Sequence, residues 1–262
     1  MVKEEFPSIQ LVRLPKNEGC AARNRGMELA RGDIVVTLDD DIIFSTPTEV
    51  RKLAGLFQKN PSTGCITFKV LDSSGIQSRR NWIHPRDQNL FGDRMFFTDV
   101  INEGAVAFRK EAFLGTGGYW PPLFIYHEGM DLSLRLLERE VKLLYSPGVS
   151  VRHQFPRKEN RNDALYRNYI RNALWVCLRN YPPSMAGTAM IRAFLLYAFS
   201  AFRAGRTASF LLGFQEGLFG ASRALATRRP IRGRTASLIR RIRRERPTFL
   251  SRVRKYLQDR PF

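Results

Sequence analysis

Three consecutive carboxylates, Asp39, Asp40 and Asp41, close a short apolar run from Ile34 to Leu38. Adjacent anions repel, so such a triplet is settled either by full hydration on a loop or by a shared cation that offsets the like-charge cost. In open α/β sheets the ligand crevice lies beyond the carboxyl ends of the strands. Carboxylates delivered there by a strand stand where a metal and a phosphorylated ligand bind together. A solvated chain reversal is the alternative for an Asp-rich turn.

The segment just upstream bears on that choice. From Asn17 to Gly32 the pattern predicts a helix with Asn17 as N-cap, Gly32 as stop, and Ala22, Gly26, Leu29 and Ala30 on one face. Gly26 is expected to let that face approach the sheet closely. Arg23, Arg25 and Arg31 lie on the other sides, and the positive helix N-terminus faces the same crevice as the three Asp.

The run from Asn17 through Arg23-Asn24 and Gly26 to Leu38-Asp39-Asp40-Asp41 resembles the inverting nucleotide-sugar glycosyltransferases of the GT-A superfamily, family 2-like and of the bacterial polysaccharide and cell-wall type. Three further blocks keep that family's order. They are Asn102-Glu103-Gly104 to Lys110 with Gly117-Gly118-Tyr119, then Tyr126 to Arg135 around Glu128 and Asp131, then Pro147 to His153. The resemblance covers roughly residues 8 to 180.

The resemblance implies a sugar transfer in which a cation holds the leaving pyrophosphate and a base takes the acceptor proton, with one displacement inverting the anomeric centre. It places Asp39 on the ribose or diphosphate and at the metal, Asp41 as principal metal ligand with Asp40 assisting, and Asn17, Arg23 and Asn24 on the nucleotide side. His153 is a further metal contact, and Mg2+ or Mn2+ is the expected ion, since hard oxygen ligands and phosphates suit both. Gly104, Tyr119 and Trp120 fall on the acceptor side, with a loop anchored by one buried Trp as the other reading. The base slot is altered: many relatives carry Glu-Asp where this chain has Glu128-Gly129. Glu128 is therefore the candidate base and Asp131 its rival, although Asp131 also suits a first helical turn paired with Arg135 at i+4.

Composition fits this picture. The chain of 262 residues is 44% hydrophobic, enough for a full core plus an appendage. Cys20, Cys65 and Cys177 are scattered and odd in number, which argues for a reducing compartment and against a disulfide framework or zinc site. From Arg223 to Arg260, fourteen Lys and Arg against two acids supply +12 of the formal +19. Before that tail lies Ala186 to Ser222, apolar but interrupted by Arg192, Arg203, Arg206 and Glu216, which suits an interfacial helix pair better than a comfortable span. Phe194, Leu195, Phe199 and Phe202 are its expected lipid-facing residues, and the arginines would meet anionic lipid. Nucleic acid is the competing partner for the basic tail, but no recognition motif accompanies it and it leaves the Asp triplet unexplained. A degenerate sugar-nucleotide-binding module is the other alternative.

The expected architecture is an α/β, GT-A-like, mixed and mostly parallel sheet with flanking helices. Residues 1–155 form the catalytic domain, 156–222 a helical membrane-associated region, and 223–262 a basic tail. Strands are expected at 34–41, 64–71 and 104–109, and helices at 49–59, 131–140 and about 161–180. Residues 9–14 resemble the family's third strand, so its first β-α-β portion has no counterpart here and a truncated N-terminus is expected. The implied partners are a nucleotide-sugar donor, a glycan or lipid-linked acceptor and an anionic membrane surface, on the cytoplasmic face of the plasma membrane.

Overall fold

Strands and helices are interspersed as far as His153, and the described elements after it are helical. The computed structural model describes residues 2–77, 81–154 and 163–245. In order these hold α1 (Val2–Glu5), α2 (Ala22–Leu29), β1 (Ile34–Leu38), β2 (Ile42–Phe44), α3 (Glu49–Lys59), β3 (Thr63–Leu71), α4 (Gln88–Phe91), β4 (Phe96–Phe97), β5 (Ala105–Arg109), α5 (Lys110–Gly115), α6 (Glu128–Glu138) and β6 (Lys142–His153). The helical part comprises α7 (Asp163–Asn180), α8 (Pro183–Arg203), α9 (Thr207–Phe219), α10 (Ala221–Ala226) and α11 (Gly233–Ile242).

The six strands form one mixed sheet in the order β1-β5-β3-β6-β2, with β4 also on β6. β1, β3 and β6 point the same way, but β5 lies antiparallel between β1 and β3, so β3–β6 is the parallel pair among five described pairings. This corrects the expectation of a mostly parallel sheet. Parallel neighbours need a long crossover, and here residues 72–141 supply one between β3 and β6. Residues 147–149 interrupt that ladder, where the register jumps from Ser146 to Ser150. Pro147 has no N–H to contribute there. One consequence governs the site: the carboxyl ends of β1 and β6 and the start of β5 meet at the same edge.

Strand alternation divides the core. On β5, Ala105 and Ala107 face Leu53 and Phe57 of α3, whereas Val106 and Phe108 face Met27, Leu132, Trp175 and Ile239 on the other side. Met27 and Asn24, not Gly26, look inward from α2. Gly26 is exposed with nothing within 4 Å of its Cβ position, so it serves no close approach to the sheet. The helix also begins later than expected. Asn17 accepts from the Gly19 N–H at 2.9 Å and opens a 3-10 turn, Gly19–Ala21, ahead of α2, which ends at Leu29 before Gly32. Residues 9–14 form no ladder among the described residues, and Ile9 and Val12 are exposed. A strand needs a hydrogen-bonding neighbour, and they have none.

The basic segment is not a free tail over its described part. Ala224, Ile231, Ala236 and Ile239 enter the same core as Leu132 and Trp175, and Arg243 is paired with buried Asp99. Arg246 to Arg260, and the Arg161 start expected for the helix now seen as α7, lie outside the described residues. In the helical part, Gly213, Gly217 and Gly220 bring α9 against Arg167, Leu174 and Trp175 of α7, where any Cβ would clash. Phe194 turns inward onto Phe210 and Phe214, at centroid distances of 5.3 and 5.1 Å, so it does not face outward as expected.

Buried histidines make the fold acid-sensitive. His84 sits among Trp82, Phe96 and Tyr145, bonded to Thr98 at 3.0 Å, and burial with Arg86 nearby lowers it to about 3. Burial lowers His127 to about 4. Both stay neutral when folded, so from about pH 6.5 downward the unfolded chain alone gains these protons and stability falls. Urea denaturation at pH 6.5 and 5 should show His84→Leu gaining stability relative to the wild type as the pH falls, with a difference in slope of about one proton. An unchanged slope would remove His84 from the account.

Candidate active site

Backbone pairing assembles the site. Leu38 is opposite Ala105 and Ile42 is opposite His153, so the Asp triplet is bracketed by the start of β5 and the end of β6. The Asp39 N–H donates to the Gly104 carbonyl at 3.4 Å, and a Cβ at Gly104 would overlap the Asp39 carboxylate. Glycine is required there by space.

Each of the three aspartates meets a different environment. Asp39 pairs with Arg23 from α2. Asp40 is exposed to water on the turn. Asp41 Oδ2 lies 2.9 Å from His153 Nε2, and its carbonyl accepts from the Gln154 N–H at 2.8 Å. The expected metal set of Asp39, Asp41 and His153 is therefore divided: Asp41 and His153 are together, whereas Asp39 turns to an arginine. Among the described residues no three His, Cys, Asp or Glu side chains are arranged to hold a metal ion. Two protein ligands with phosphate oxygens completing the sphere is nonetheless how Mg2+-type ions are commonly held at nucleotide sites, and the half-exposed Asp41–His153 pair fits that arrangement.

The loop before α6 is held in an unusual conformation. Phe124, Tyr126 and His127 all adopt positive φ, at 60°, 72° and 66°. Such backbone persists only when surroundings enforce it. Asn172 of α7 does so, donating to the carbonyls of Leu123, Ile125 and Tyr126 at 2.9, 2.8 and 2.8 Å, while the Phe124 carbonyl accepts from Cys20 N–H at 2.7 Å. Glu128 follows as the first residue of α6, 6% exposed, with its Oε2 lacking a hydrogen-bond partner. Burial raises its carboxyl, Arg23 pulls it back and Asp39 pushes it up. Burial, with the charge of Glu128 nearby, also lifts the Cys20 thiol to about 12, which places that cysteine as an inert neighbour.

Several expected site residues are structural instead. Asp131 is fully buried and saturated: Arg135 reaches it at 3.0 and 2.6 Å, Asn180 at 2.7 Å, and Arg179 also pairs with it. A carboxylate so bound cannot collect a proton from an acceptor, so of the two candidates only Glu128 is placed to do so. Asn24 spends its amide on the Tyr119 backbone, at 2.9 and 2.7 Å, rather than on a nucleotide. Tyr119 is 0% exposed, and Trp120, 8% exposed, is wedged between Trp175 and Arg179, so neither offers an acceptor platform. Asn17 serves its local turn. Sequence reasoning did not single out Asn172 or Glu103; an Asn inside an apolar helix stretch was the available signal for the first.

A family model described as glycosyl transferase family 2 matches residues 1–115, which include Arg23, the Asp triplet and Gly104. Over those residues, somewhat less than half of the chain, the sequence is similar to that family. A glucosyl-dolichyl phosphate glucuronosyltransferase of Haloferax volcanii is 26% identical over 128 residues, 45% of this chain and 41% of that protein, so the chain spans about two fifths of that relative. TarS 1–349 of S. aureus, solved with UDP-GlcNAc, superposes with a TM-score of 0.54 at 13% identity, covering 91% of this chain and 70% of that one. That likeness establishes the GT-A fold. The mannosyltransferase PcManGT of Pyrobaculum calidifontis, solved with GDP-Man and Mn2+, gives 0.49 at 14% identity, covering 98% and 72%.

Asp131→Ala should cost on the order of 3–5 kcal/mol, because it strands two buried guanidinium groups. Chemical denaturation against the wild type measures it, and a loss below about 1 kcal/mol would contradict the structural assignment.

Proposed function

We propose that this chain catalyses metal-dependent, inverting transfer of a sugar from a nucleotide diphosphate donor to a glycan or lipid-linked acceptor at a membrane surface. The observation that carries the reading is the gathering of Asp39, Asp41, His153 and Glu128 at one end of the sheet, in a chain whose residues 1–115 match a family 2 glycosyltransferase model. Asp41 and His153 would hold the divalent ion, Mg2+ or Mn2+, whose charge offsets that of the leaving diphosphate. Arg23 neutralises Asp39 and adds positive potential beside the phosphates. Glu128, buried and with a raised proton affinity, takes the acceptor hydroxyl proton as oxygen attacks the anomeric carbon.

The helical part supports a lipid-facing role. On α9, Phe210 and Phe214 pack inward beside the glycines, whereas Leu211, Leu218 and Phe219 are exposed, Phe219 at 78%. On α8, Ile191, Leu195 and Phe202 are exposed too. α8 is long and apolar enough to cross a membrane by length and composition, at 21 residues and mean hydropathy 1.4. Arg192 near its middle favours lying in the interface on the cytoplasmic side, with arginines on anionic headgroups.

Titration calorimetry of Mn2+ with UDP or GDP should show binding that chelator abolishes and Asp41→Ala weakens at least ~10-fold. Wild-type turnover surviving both changes would overturn the metal assignment. Glu128→Gln should keep nucleotide binding and lose roughly 10²–10⁴ in kcat. Flotation with anionic vesicles should capture the wild type and lose the Phe202→Ser/Phe219→Ser variant; RNA binding without vesicle binding would refute the membrane role.

A further inference from the structure

Glu103, on the turn leading into β5, plays no part in the roles assigned so far. Its carboxyl accepts the N–H of Gly129, the second residue of α6. A Cβ at position 129 would overlap that carboxyl oxygen and lie 2.9 Å from the Ile101 carbonyl. The Glu103 carboxyl and a side chain at 129 therefore exclude each other, and the carboxyl occupies the space next to Glu128 that such a side chain would fill. Its backbone is anchored too, with the Thr37 hydroxyl donating to the Glu103 carbonyl at 3.0 Å. Glu103 is thereby tied to β1 two residues before the Asp triplet.

Glu128 supplies the complementary observation. It is 94% buried, and its Oε2 finds no hydrogen-bond partner among the described residues. A buried carboxylate oxygen left without a donor is costly. The Glu103 carboxyl, held on the N–H of the next residue, is the second carboxyl at this place.

We propose that Glu103 is a positioning residue for the proton acceptor: entering from β5 through the space over Gly129, its carboxyl pairs with Glu128, so that the two hold one proton and Glu128 remains the carboxylate that meets the acceptor hydroxyl. The inference rests on the transfer reading above. In the step it serves, the acceptor oxygen forms its bond to the anomeric carbon and its proton passes to Glu128. The bond from that carbon to the diphosphate oxygen breaks, and its electron pair leaves with the nucleoside diphosphate. The surroundings agree with a shared proton. Burial, then the charge of Glu128, pushes Glu103 up to about 8, against the pull of its own and Gly129's N–H groups and of Arg23. Two carboxyls in one site cannot both ionise freely. Cys20, Cys65 and Tyr119, also facing the pair, have burial-raised values and stay neutral.

The test uses the full chain and moves the carboxyl from one backbone position to the other. Binding is read with Mn2+ and UDP or GDP, and turnover with UDP-glucose, UDP-GlcNAc, UDP-glucuronate and GDP-mannose. Thermal melts report folding. Glu103→Ala should keep nucleotide affinity within about 2-fold and lower kcat about 10²-fold. Gly129→Asp alone should also lose activity, because its side chain collides with Glu103. Both Glu103→Ala/Gly129→Asp and Glu103→Ala/Gly129→Ala must shift the Ile101 carbonyl by the same small amount, and of the two only the Asp variant should regain activity over Glu103→Ala, by about 10-fold. Equal recovery with Ala and Asp, or a fully active Glu103→Ala, would overturn the pairing while leaving the transfer reading standing. A wild type that neither binds nucleotide with Mn2+ nor turns over any of the four donors would instead overturn the transfer reading.

Discussion

Like-charge repulsion at one sheet edge is the constraint around which this protein is arranged. Asp39, Asp41, Glu103 and Glu128 all approach that edge, and the fold answers each separately. Arg23 from α2 neutralises Asp39, His153 from β6 stands against Asp41, and the N–H of Gly129 holds Glu103. Asp40 is left to water. Glu128 alone in this group combines deep burial with an oxygen that no described group satisfies. Four elements distant in sequence thus converge because separate countercharges had to be brought to adjacent carboxylates.

A second buried charge cluster serves a different end. Asp131 draws Arg135, Arg179 and Asn180 together and so ties α6 to α7. Such a pairing adds little net stability once desolvation is counted, but it is selective about geometry: a shift of either helix would leave a guanidinium unpaired in the interior. Asn172 works in the same direction on the loop before α6. Glu128 therefore projects from a helix whose start is fixed from two sides, as a group that must meet a reacting atom requires.

Much of this was legible in the residues. The strand leading into three Asp, the helix at 49–59 and the strand at 104–109 follow from periodicity, because local pattern and tertiary demand agree there, whereas the approach of His153 to Asp41 was implied by the family resemblance alone. What escaped depended on partners remote in sequence. Tyr119 and Trp120 read either as an acceptor platform or as a loop anchored by a buried Trp, and the choice waits on Trp175 and Arg179, over 50 residues on, which enclose Trp120. Asn24 has the look of a ligand-binding amide, yet the Tyr119 backbone claims it. Gly26 and Gly129 show the same limit from opposite sides, since one lies in open space and the other is required by a carboxyl 26 residues away. Arginine-rich 223–242 reads as a tail because its apolar residues are few, though they are spaced to reach the core.

The glycine-lined contact between α9 and α7 has a metrical consequence. At Gly213 the backbone of α9 lies directly against that of Arg167, while Gly217 and Gly220 seat the Leu174 and Trp175 side chains, and Trp175 donates to the Gly217 carbonyl at 3.0 Å across the seam. Compliance is low where nothing compressible intervenes. The same α7 grips the loop that launches α6. The distance from the outward apolar face of α9 to the Glu128 carboxyl is therefore a built-in length, and a molecule presented from that side would be measured against it before any chemistry began.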